Sequence, residues 1–231
     1  MHMVNIANNH PVVNTFLYTD EILDDLEVSL SRERLGTYLN ATGGDRVKAI
    51  RLHVWNTAVS AALYELLQIL EVTLRNAMNH RLGEIYGEAW YYNRDVGLNS
   101  VALDQISRAR RDLEREGYDE NPHQIVATLS FGFWVSLLSS GGSGVNYEMT
   151  LWRPALRGTF PQCNRLSRRG AHRPLNILRR LRNRIAHHEP IFSRALDEDH
   201  ERILEVAGWI SPTTRTWMEH HSRVPAFLDN P

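Results

Sequence analysis

Between Asp45 and Tyr86 the chain has no proline, and its only glycine is Gly83. Proline and glycine are the residues that most readily stop a helix, so their absence over this length leaves helix as the natural conformation. Apolar residues recur at Val54, Ala58, Ala61, Ala62, Leu66, Ile69, Leu70 and Leu74, which is helical spacing. The stretch therefore predicts one very long helix, or two nearly collinear ones, capped by Asp45 and ended near Gly87. Its most apolar window, Trp55 to Val72, contains Asn56, Glu65 and Gln68. That window reads as a buried helix rather than a membrane span.

The rest of the chain is helical by the same criteria. Asp20–Leu39 carries acids at its start and an apolar stripe of Ile22, Leu23, Leu26, Leu30 and Leu35. Asn99 caps a charged helix that ends at Gly117, and Asn121-Pro122 opens a helix to about Leu138. Short helical pieces are expected over 152–158 and 164–167. Pro174 opens a helix to His187 or His188, stopped by Pro190. Asp197–Ile210 follows, and Ser211-Pro212 starts the last helix, to about Ser222. No period-two alternation longer than four residues interrupts this pattern, so the fold class is all-α with about eight helices. Residues 1–19 read as a flexible arm and 20–231 as a single helical domain.

Composition narrows the chemistry. One cysteine, Cys163, excludes an internal disulfide framework and multi-cysteine metal sites. The formal net charge is −1, but Leu151–Arg194 holds eleven arginines against one acid, Glu189. Such a block suits a polyanion such as RNA, with Arg165, Arg168, Arg169, Arg173, Arg179 and Arg180 as candidate phosphate contacts. The competing reading is a solvated basic face paired with the acids of 20–27 and 197–205. No secretory leader is visible, and a cytoplasmic protein without membrane attachment is expected.

Arg75-Asn-Ala-Met-Asn-His80 and Arg182-Asn-Arg-Ile-Ala-His187 share the pattern Arg-Asn-x-x-x-His. Composition alone predicts this pattern about 0.08 times in such a chain, and it occurs twice. On a helix Asn183 lies one turn before His187, and Asn76 one turn before His80, where an amide can orient an imidazole. Arg182 and His187 lie about 140° apart around an ideal helix, so a second helix must complete any site that uses both. A symmetric pair of copies supplies one.

Those groups suit metal-free RNA cleavage. A histidine near neutral pKa moves the proton of the ribose 2′-OH, and guanidinium stabilises the charge that grows on the phosphoryl oxygens. The competing reading for Arg182–His187 is a basic helix end favourable to the dipole. For Arg75–His80, which lies mid-helix in an apolar register, a structural role is the stronger reading. His187-His188-Glu189 lacks the second histidine of a metalloprotease helix, and Pro190 breaks it. Cys163 has no assigned histidine partner. No metal ligands and no cofactor are expected.

The segment Leu175–Phe192, with its Arg-Asn-x-x-x-His-His-Glu-Pro-Ile run, resembles the Abi-like (abortive infection) family of bacteria, which is placed in the HEPN superfamily. Leu70-Glu-Val-Thr-Leu-Arg-Asn76 is similar to that family's upstream Glu/Arg helix. Ser130-Phe-Gly-Phe-Trp134 is similar to its central aromatic segment, and Ile210-Ser-Pro…Trp217 to its C-terminal helix entry. The likeness covers roughly 20–225. It implies a HEPN-type helical bundle with long antiparallel helices and extra N- and C-terminal helices. It also implies a role in phage defence or as a toxin.

HEPN ribonucleases join Arg and His from two domains in a composite, metal-independent site. Carried onto this sequence, the catalytic residues are Arg182, Asn183 and His187, with Arg184, His188 and Glu189 supporting. The second motif, Arg75, Asn76 and His80, departs from a one-motif domain and would let one chain carry both half-sites. A homodimer through the Arg182 helix is preferred, because that helix sits in the basic block. The implied partners are RNA, a second copy, and an antitoxin or regulatory protein. The alternative is a non-catalytic RNA-binding or toxin–antitoxin interaction module on the same scaffold.

Overall fold

The computed structural model describes residues 16–118 and 121–229. Most of the expected arm, 1–19, lies outside them. Among the described residues there are ten α-helices and no strand, so the all-α expectation holds. They fall into two compact units, one through Val54 and one from Trp55 onward.

The first unit contains α1 (Asp20–Leu30), α2 (Arg32–Ala41) and the start of α3 (Arg46–Tyr86). The single helix expected over 20–39 is broken at Ser31, which takes φ 68°. Ser31 closes α1 and re-caps the chain, its hydroxyl accepting from Arg34 N–H at 3.3 Å. Leu23, Leu35, Tyr38, Ala49 and Ile50 form the buried side. Arg46 bridges Asp24 and Glu27, each at 2.6 Å, and these carboxylates hold its pKa above the ordinary value, Asp24 most strongly. Asp45 accepts from Lys48 N–H at 3.0 Å, the cap expected for α3.

α3 runs unbroken for 41 residues, the first of the two alternatives. By length and composition it is the one described helix that could cross a membrane. In the second unit its Val59, Leu63, Leu67, Leu70, Leu74, Met78 and Leu82 join a buried core. That core is completed by α4 (Ser100–Arg115), α5 (Pro122–Thr128), α6 (Phe131–Ser136), α7 (Arg168–Ala186), α8 (Leu196–Ile210), α9 (Pro212–His221) and α10 (Val224–Leu228). Caps at Asn99, Asn121 and Ser211 stand where the sequence places them.

Further boundaries differ from expectation. The helix from Pro122 stops at Thr128, and Ser130 starts another, its hydroxyl accepting from Phe133 N–H. The break swings Phe133 and Trp134 against Trp90, with ring centroids 6.3 and 5.9 Å away. The helix expected to open at Pro174 opens at Arg168, capped by Ser167, and Pro174 lies inside it. Burial of Ala171, Leu175 and Leu178 outweighs the one backbone bond that proline forgoes. The pieces expected over 152–158 and 164–167 are replaced by a π-type turn at Glu148–Trp152, a 3₁₀ turn at Leu156–Thr159 and irregular chain.

α3 and α7 run antiparallel. Asn56 of α3 meets Ile191 and Phe192 beyond the end of α7, while Glu71, four turns on, meets Arg182. α7 also packs on α6 and α8. This brings Arg75 and Arg182, one from each Arg-Asn motif, to the same groove.

Candidate functional site

The polar positions of α3 set the site. Tyr64, Gln68, Glu71 and Arg75 stand at i, i+4, i+7 and i+11, and so share one face of a helix whose other faces are largely apolar. Arg182 of α7 lies against this face. Its Nε is 3.6 Å from Glu71 Oε2, and its guanidinium stands 6.0 Å from the Tyr64 ring centroid. At 3.6 Å the carboxylate is an ion-pair partner but too distant for a hydrogen bond, and Nε is buried without one. Trp217 of α9 completes an open groove of about 580 Å³ lined by these residues.

The groove joins the arginines of both motifs. Arg75 is held there only loosely, donating to Ala127 O and to Asn76 Oδ1, each at 3.4 Å. Both histidines lie elsewhere. His80 is 71% exposed and stands 3.3 Å from Glu84. The apolar surroundings expected for it are absent, because its position on α3 is turned to solvent. Asn76 contacts Arg75 rather than His80. Asn79, between them, accepts from the indole N–H of Trp90 at 2.9 Å and so belongs to the aromatic core.

His187 is exposed at the C-cap of α7. No hydrogen bond joins its ring to the Asn183 amide among the described residues; its backbone N–H donates to Asn183 O at 2.9 Å. What fixes His187 is the turn that follows it. His188 adopts φ 57° and donates to Ile185 O, and Glu189 N–H donates to Arg184 O at 2.8 Å. This pair of bonds is a Schellman motif with histidine in the place usually taken by glycine. Arg184 clamps the turn by donating to Pro190 O at 2.7 Å and pairing with Glu189 at 3.3 Å. Beyond it Asn56, 5% exposed, accepts from Ile191 N–H at 2.8 Å and from Phe192 N–H at 3.1 Å. Arg184, His188 and Glu189 thus build the platform on which His187 sits.

The basic block divides in two. Arg169, Arg173 and Arg180 are exposed, and on an ideal helix they lie within about 40° of one another and of His187. Arg165 is exposed just before α7. Arg168 is only 18% exposed, donates to Leu138 O at 2.8 Å and pairs with Glu148. It braces the scaffold instead of facing a ligand. Arg179 donates to Asn176 at 3.0 Å, and Arg194 is bidentate to buried Asp199. Arg168 and Arg179, together with burial, hold the pKa of His172 below the ordinary value, burial being the larger cause.

Sequence reasoning missed Tyr64, Gln68 and Glu71 as a lining. Their spacing of four and three residues within an apolar helix was the available signal. Among the described residues no group of three or more His, Cys, Asp or Glu side chains stands together as a metal-binding set. No protein-family model, curated protein or solved structure matches the chain.

Proposed function

We propose that the chain is a metal-independent RNA endonuclease on a HEPN-type helical bundle. It acts in the cytoplasm in phage defence or as a toxin, and its site is completed by a second copy. The observation that carries this reading is the placement of Arg182 and His187. One guanidinium is held in a groove beside Glu71, and one exposed imidazole is fixed at the end of the same helix. In this reaction His187 takes the proton of the ribose 2′-OH as that oxygen attacks the adjacent phosphorus. Arg182 stabilises the charge on the phosphoryl oxygens. The 5′-oxygen leaves with a proton from an imidazolium, giving a 2′,3′-cyclic phosphate and a 5′-hydroxyl. A second copy brings its imidazole to the Arg182 groove, whose lining residues include no histidine, the His221 ring lying 5.5 Å from that of Trp217.

That same lack favours the second reading, an RNA-binding module without catalysis. Incubation with RNA and with a strand carrying a single ribose in a deoxy background separates the two. Cleavage after that ribose, absent from the all-deoxy strand and unchanged by EDTA, supports the nuclease. His187→Ala and Arg182→Ala each lower its rate, by about 10²–10⁴-fold for the acid–base residue. Tight binding with no cleavage supports the module, and loss of activity with EDTA, restored by Mg²⁺ or Mn²⁺, overturns the metal-free mechanism.

A further inference from the structure

The groove contains more than a phosphate site requires. Trp217 is 52% exposed on α9, beside Val72 at 44% and the partly buried Tyr64 ring, and it lines the same cleft as Arg75 and Arg182. Arg75 makes only two contacts at the hydrogen-bond limit, and Arg182 Nε makes none, so both guanidiniums keep most of their five donors. Glu71 balances one of the two charges, which leaves the cleft cationic. A flat indole lining one cleft with two guanidiniums matches a nucleotide, with its base on the ring and its phosphates on the cations.

We propose that Trp217 is a stacking platform for an unpaired base, with the flanking phosphates held by Arg75 and Arg182. The substrate class is then single-stranded RNA or an unpaired loop. In a duplex the base faces are stacked on one another, and an A-form helix presents phosphates and 2′-hydroxyls instead. The identity of the polymer as RNA rests on the reading above; the requirement for an unpaired base rests on Trp217.

The test is fluorescence anisotropy with a labelled single-stranded oligodeoxynucleotide, which lacks the 2′-OH and so survives cleavage that uses it as nucleophile, and with its blunt duplex. Wild type is expected to prefer the single strand. Trp217→Ala should weaken strand binding by about 5- to 150-fold, the range for loss of one base–aromatic stack. It should leave duplex binding unchanged, while Trp217→Phe retains most of the strand affinity. Circular dichroism checks the fold of both variants, and Trp217→Leu, which keeps an apolar side chain but no ring, carries the strand-against-duplex comparison if the alanine variant is unfolded. An equal loss for strand and duplex, or no loss, overturns the proposal. So does a change of sedimentation mass on Trp217→Ala, which would make the indole a contact between copies instead of a base platform. Strand binding that depends on Trp217 without RNA cleavage refutes only the nuclease reading. Cleavage with binding indifferent to Trp217 refutes only the stacking platform.

Discussion

Asn56 gives the sharpest stability prediction. Its side-chain oxygen is the acceptor for two successive backbone N–H groups, those of Ile191 and Phe192. Asn56→Ala removes that acceptor and leaves both donors in place. Ile191 is 0% exposed, so no water replaces the lost partner at that residue, whereas Phe192 is only half-buried. An unpaired buried donor costs about 1–3 kcal/mol. One full and one partial loss therefore sum to about 2–4 kcal/mol. In a chain of this length each kcal/mol moves the melting temperature by about 2–4 °C, so a fall of about 4–16 °C is expected. Asn56→Asp keeps an oxygen at the same place, at the cost of burying a carboxylate, and should melt between the two. Calorimetry of the three proteins is the assay. A melt of Asn56→Ala within about 0.5 kcal/mol of wild type, the range of ordinary surface changes, would refute the view that Asn56 holds this segment.

Three further outcomes are expected. His80→Ala should change stability by less than about 0.5 kcal/mol, since its ring is 71% exposed and meets only Glu84 at 3.3 Å; a larger loss on thermal melting contradicts this. His53, His172 and His200 all have pKa values lowered mainly by burial from the ordinary 6.5. Folding therefore disfavours their protonated forms, and their contribution is complete above pH 6.5 and lost as pH falls below it toward their folded values. Melts across this window should show the loss, with a shallower slope in His200→Gln; an unchanged slope removes His200 from the account. Replacing Arg169, Arg173 and Arg180 together by Ala should lower the salt slope of single-strand RNA binding by about 2, at about 0.7 per phosphate contact, and an unchanged slope places the strand elsewhere.

The fold was legible where helix chemistry is local. Asp45, Asn99, Asn121 and Ser211 each cap a helix with their own side chain, and this needs no tertiary partner. The misjudged boundaries are those that local signals do not announce. Ser31 takes a left-handed φ that nothing in its neighbours announces, and Pro174 is carried inside α7 by apolar residues on both sides of it. The candidate site was half legible for the same reason. The Arg-Asn motifs stand out by composition, but the encounter of Arg75 with Arg182 arises from the antiparallel packing of α3 and α7. Asn56, one polar residue in an apolar window, carried no mark of the loop it would hold.

The two faces of α7 decide how the proposed site is assembled. On an ideal helix His187 lies in line with Arg169 and within about 40° of Arg173 and Arg180, while Arg182 lies about 140° away. Arg182 is turned into the groove against Glu71, and His187 is exposed. One chain therefore offers its guanidinium and its imidazole in different directions, and a two-fold pair can bring one of each to a single phosphate. Arg182→Ala keeps the imidazole, and His187→Ala keeps the guanidinium. Alone, each is expected to be inactive as a dimer. Co-expressed and randomly assorted, about half the dimers hold one copy of each, and each of those has one intact site of two. The mixture should recover about a quarter of the wild-type rate. If Arg and His of the same chain acted together, no intact pair would form and the mixture would remain inactive, although the dimers had exchanged.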